Sequence, residues 1–135
     1  MLRTRTVAGL TAGFADLAEE YAETTAAVLV AAFRVAPGEL VRTQGRVMSV
    51  DALLSTLVVE VAVHHLDLVV HLGRRGPAAG PLAEVRRVLE GLAGGPVPAG
   101  WDDVTLARRG TGRESLTAAD RAELGERVAA FPLFG

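Results

Sequence analysis

The chain has 135 residues, which at roughly 150 residues per domain argues for one domain spanning 1–135. Half of the residues are apolar and the net charge is only −2, which excludes a mainly disordered chain and leaves no basic footprint for nucleic acid. Cysteine and lysine are both missing, so disulfides, thiolate metal sites, cysteine nucleophiles and lysine Schiff bases are excluded as well.

The opening residues Met1 to Thr6 lack the apolar stretch of a signal peptide. The first predicted helix runs from about Thr11, its capping residue, to Val35. Asp16 stands in its early turns and Pro37-Gly38 stops it. Phe14, Leu17, Tyr21, Val28 and Ala32 form its apolar seam, and Glu19, Glu20 and Glu23 mark the wet side.

Glu39 to Met48 reads as a connector with a turn at Gly45, and no convincing strand is expected anywhere. Ser49 caps a second helix that continues to Leu72, with Asp51 at its positive end and Gly73 as the C-terminal cap. Val59, Val63, Leu66 and Val70 line one side of this helix; Leu54, Val58, Val61 and Leu68 line another. A helix that is apolar almost all round is expected to be buried on all sides. It is long enough to cross a bilayer. Yet Asp51, Glu60, His64, His65, Asp67 and His71 would be costly in lipid, so the expectation is a cytoplasmic protein without a membrane partner.

Gly76 to Gly80 is a linker, and Pro81 opens a third helix, Leu82 to about Ala93, with the seam Leu82, Val85, Leu89 and Leu92. Val97 to Ser115 is predicted to be irregular. Thr117 and Asp120 form a capping box for a last helix that ends near Ala130. The closing Phe131-Pro132-Leu133-Phe134-Gly135 docks through its Phe and Leu side chains. The fold class is therefore all-α, with two long helices and two shorter C-terminal ones.

All three histidines lie on the second helix. At 100° per residue, Glu60, His64, Asp67 and His71 share a stripe about 60° wide. They interrupt a stripe that Leu53 and Leu57 begin, so they are expected to face a neighbouring helix. Buried carboxylates and imidazoles must be paired or coordinated. Glu60 and His64, one turn apart, can offer an oxygen and a nitrogen to one metal ion, with Asp67 orienting an imidazole from behind. A salt-linked pair is the simpler reading of the same spacing. His65, off the stripe, reads as a hydrogen-bonded packing residue, and His71 as a group stabilised by the helix C-terminus. Ser55 and Ser115 lack His-Asp partners. Gly110-Thr111-Gly112-Arg113 lacks the context of a phosphate loop and reads as a tight turn with Arg113 in a local salt bridge.

The stretch from Leu57 to Leu68, with Glu60, His64 and Asp67 as E-x3-H-x2-D, resembles the metal-ligand helix of DinB-like bundles. It is most similar to the mycothiol-dependent maleylpyruvate isomerase family. Gly100-Trp101-Asp102-Asp103, Thr111-Gly112-Arg113, Leu116-Thr117 with Asp120, Leu124-Gly125 and Pro132-Leu133-Phe134-Gly135 carry the resemblance to the C-terminus. It implies a partial DinB-like bundle and a divalent metal, usually zinc, bound by Glu60 and His64. The metal would activate a small-molecule thiol such as mycothiol for addition to a substrate, in isomerisation or thiol transfer. The family's first two helices, which bear a further ligand histidine, have no counterpart here, and no histidine precedes His64. Three expectations follow: an N-terminally truncated form of a longer enzyme, a remnant without the chemistry, or two copies pairing so that two Glu and two His meet across a two-fold axis. The alternative from a different class is a catalytically inactive helical interaction domain that dimerises through the helix 50–72.

Overall fold

The computed structural model describes residues 13–36, 38–43 and 45–134, which form two units, Met1–Asp51 and Ala52–Gly135. The described chain is mostly helical, as expected. Its elements are α1 (Phe14–Arg34), β1 (Leu40–Thr43), β2 (Arg46–Ser49), α2 (Val50–Val69), α3 (Ala79–Leu92), α4 (Asp103–Gly110) and α5 (Ala118–Leu124), followed by a 3-10 turn at Gly125–Ala130. The predicted caps and stops at Thr11 and Pro37, the opening Met1 to Thr6 and the terminal Gly135 lie outside the described residues.

In the first unit, α1 is rich in alanine, the strongest helix former, and carries Asp16 in its first turn and Arg34 in its last, which suits the helix dipole. None of its residues is buried, and Phe14, Tyr21 and Phe33 are strongly exposed. The predicted connector is instead a β-hairpin. Strands β1 and β2 pair antiparallel with Leu40 opposite Ser49 and Thr43 opposite Arg46. The loop is therefore two residues long, and its Gly45 has φ 78°, the left-handed backbone that such tight hairpins require. Four-residue strands are too short for alternation to show in the sequence. Ser49 ends β2 immediately before α2, and Val50 N–H donates to Glu39 O at 2.8 Å. Asp51 accepts a hydrogen bond from the Gly38 backbone at 3.3 Å.

The second unit has one core. α2 contributes Val59, Ala62, Val63 and Leu66, and α3 contributes Leu82, Val85 and Leu89. Leu92, predicted to join that seam, is exposed, and Ala93 is buried in its place. Trp101, Leu106, Ala107 and Leu124 complete the core. The expectation that α2 is buried on all sides is overturned: Leu57, Val58, Val61 and Leu68 are exposed. The small second unit supplies partners for only one face of the helix.

The segment predicted to be irregular contains α4. Asp102 caps it by accepting from Thr105 N–H at 2.7 Å, Asp103 sits in its first turn, and Arg108 and Arg109 sit in its last. Eight residues with a polar composition carry too weak a period to be read from sequence. Gly110, the last residue of α4, stands where a Cβ would lie 3.0 Å from Leu89 Cδ1. The predicted capping box is present: Thr117 Oγ1 accepts from Asp120 N–H at 3.2 Å, and Asp120 Oδ2 accepts from Thr117 N–H at 2.7 Å. The last helix stops at Leu124 rather than Ala130, where Gly125 at φ 58° turns the chain into the 3-10 segment. The closing residues dock as expected, with Leu133 N–H donating to Gly110 O at 2.7 Å and Leu133 and Phe134 packed on the core.

Candidate functional site

The central turns of α2 bring Glu60, His64 and Asp67 together. His64 Nε2 lies 3.4 Å from Glu60 Oε2, and His64 Nδ1 lies 3.5 Å from Asp67 Oδ2. The imidazole thus stands between two carboxylates, one at each nitrogen. Asp67 is in turn held by a two-point hydrogen bond from Arg113, with Nε to Oδ1 at 2.7 Å and Nη2 to Oδ2 at 2.8 Å. Arg113 was expected to pair locally; its partner is 46 residues away. That clamp is the first cause holding the Asp67 carboxyl below the usual carboxylate range, although partial burial works against it.

The stripe does not face a dry interior. The side chains of Glu60, His64 and Asp67 are 56%, 66% and 42% exposed. The reason is angular. At 100° per residue the ionic stripe centres roughly 120° from the core-facing residues Val59, Ala62, Val63 and Leu66, so it falls beside the covered face and not within it. His65 is half-buried. His71 lies two residues past the end of α2, because the helix stops at Val69 and not at Leu72. It lines an open cavity of about 340 Å³ with Leu66, Asp67, Val70, Arg108, Arg113 and Glu114. A second cavity, of about 310 Å³, touches the stripe at Glu60 and lies against Val59, Val88 and Phe134.

Two ligand atoms each about 2.1 Å from a tetrahedral ion sit about 3.4 Å apart, and the Glu60 Oε2 to His64 Nε2 separation is 3.4 Å. An oxygen and a nitrogen at that spacing fit one divalent cation. Asp67 fits the carboxylate that fixes the tautomer of a ligating histidine by accepting from its Nδ1–H. Among the described residues, however, no group of three or more His, Cys, Asp or Glu side chains is placed to hold a metal ion.

A buried polar network went unread in the sequence beyond its capping role. Asp120 is 6% exposed. It accepts from Trp101 Nε1 at 2.7 Å, from Arg109 Nη1 at 2.8 and 2.9 Å, and from Thr117. Burial pushes its carboxyl up, but the hydrogen bonds from Thr117 and Trp101 with the Arg109 charge outweigh it, and its pKa is lowered. Arg109 also lies over the Trp101 ring, 5.5 Å from its centroid. Ser55, set aside as a nucleophile, donates to Glu84 Oε1 at 2.6 Å and ties α2 to α3. The aspartate in place of the usual glutamate of the capping box was the only signal in the sequence for the Asp120 network.

Compared with known family models, curated proteins and solved structures, the chain finds no match.

Proposed function

We propose that this chain binds a divalent cation, zinc being the reference case, through Glu60 and His64, and that it serves metal-dependent thiol chemistry of the mycothiol-dependent maleylpyruvate isomerase type. The observation that carries the reading is the 3.4 Å spacing of Glu60 Oε2 and His64 Nε2, with Asp67 behind the imidazole and Arg113 behind Asp67. Bound zinc would lower the pKa of a small-molecule thiol such as mycothiol and present it as a thiolate. The residues of the chain have separate tasks. Asp67 holds a proton on His64 Nδ1 and leaves the Nε2 lone pair free for coordination. Arg113 keeps Asp67 ionised and fixed in place. The open cavity beside Asp67, lined also by Leu66, Val70, Arg108, Arg113 and Glu114, is of a size to take a small organic molecule.

Zinc titration by calorimetry tests the proposal. The chain should bind zinc, and His64→Ala should abolish binding while leaving the helical signal unchanged. Absence of zinc, nickel and manganese binding to the unaltered chain refutes the reading, as does a His64→Ala variant that binds as before. A second reading rests on a different observation. The exposed Leu57, Val61 and Leu68 of α2 suit a helical interaction domain without catalysis, and that reading stands if metal binding fails.

A further inference from the structure

We infer that two copies of this chain pair antiparallel along α2, and that the cation site is shared, with Glu60 and His64 of both copies as its four donors. The inference rests on the metal-binding reading above and adds the partner that completes it. Leu54, Leu57, Val61, His64 and Leu68 follow one another at spacings of three and four residues, the seam that two packed helices use. Leu57, Val61 and Leu68 are 42%, 65% and 68% exposed. At 100° per residue the seam lies roughly 170° from the core-facing residues Val59, Ala62, Val63 and Leu66. The helix thus carries two opposed apolar faces, of which the second unit covers one.

What covers the other face is set by its polar member. His64 is the one ionisable side chain in the seam, and a single polar residue in such a seam fixes pairing register. A two-fold axis at the level of Ala62, midway between Glu60 and His64, puts each Glu60 opposite His64 of the second copy. Leu57 and Leu68 then flank the four ligands on either side. Parallel pairing would instead set Glu60 against its own copy, like charge against like. The two couples fall within about 6 Å along the axis, so four donors gather where each chain alone offers two. Four is the coordination number zinc prefers, and an isologous contact is the commonest oligomer geometry. α1 carries a similar exposed seam in Phe14, Leu17, Tyr21 and Val28.

Analytical ultracentrifugation and metal analysis of the full chain decide the matter. The expected species has twice the 14.1 kDa mass of the chain and holds one zinc ion per two chains. Val61→Glu and Leu68→Glu, at positions exposed in the single chain, should each give a helical monomer that has lost zinc; two positions guard against one variant that fails to fold. A monomer with one zinc per chain overturns the shared site but leaves the metal-binding reading standing. A dimer that takes up no zinc overturns both. A dimer with one zinc per chain, or one that survives both substitutions, overturns the pairing along this seam.

Discussion

Replacing Asp120 with alanine removes the acceptor at the centre of the second unit. The carboxylate serves Trp101 Nε1, Arg109 Nη1 and Thr117, and it is buried. Without it, the Trp101 N–H has no partner and Arg109 keeps only Glu114, which it contacts at 2.7 Å. Breaking a buried pair from one side costs about 3–5 kcal/mol. Because Glu114 still compensates Arg109, the lower end, about 3 kcal/mol, is the expected loss. Against a total of about 5–15 kcal/mol, that is a large fraction. With a urea slope near 2 kcal/mol per M, the midpoint should fall by about 1.5 M. The chain has one tryptophan, and it is Trp101 itself, so its fluorescence reports the unfolding of this unit directly. Asp120→Asn keeps the shape and loses the charge, so it should fall between the two. The pH dependence follows from the lowered carboxyl of Asp120. Its contribution is fully present above the unfolded value near pH 4 and is lost as pH falls through the lower folded value. The gap between the unaltered chain and Asp120→Asn should close over that acid range. An Asp120→Ala midpoint within about 0.3 M of the unaltered chain would refute the account, since no buried network of this kind is that cheap to break.

Asp67→Asn should change stability by no more than about 1 kcal/mol, because its pair with Arg113 is partly exposed to solvent. The same change should weaken zinc binding about 10–100-fold, read by calorimetry; equal losses in stability and affinity would point to a structural role instead. Gly110→Ala should destabilise by about 1–3 kcal/mol in thermal or urea unfolding, because Gly110 is buried and its Cβ would meet Cδ1 of the fully buried Leu89 at 3.0 Å.

Much of the local structure was legible in the sequence because it is governed by neighbours along the chain. The Thr117–Asp120 box needs only residues three apart. The α3 seam through Leu82, Val85 and Leu89 follows from the helical repeat. The meeting of Glu60, His64 and Asp67 likewise requires nothing beyond an α-helix at that place. The hairpin and α4 were missed because four-residue strands and an eight-residue helix are shorter than the window in which a period can be recognised.

Composition and spacing by themselves determined that the chain is helical, that α2 carries an acid–imidazole stripe, and where its longer helices run. Tertiary structure alone decided which face of α2 is covered. An evenly apolar helix has no preferred side, so its orientation depends on the partners that α3 and the C-terminal segments supply. The same holds for Arg113 and Asp67, and for Asp120 and Trp101. Those pairs join residues far apart in the chain, and only folding brings a guanidinium or an indole within reach of the carboxylate that it stabilises.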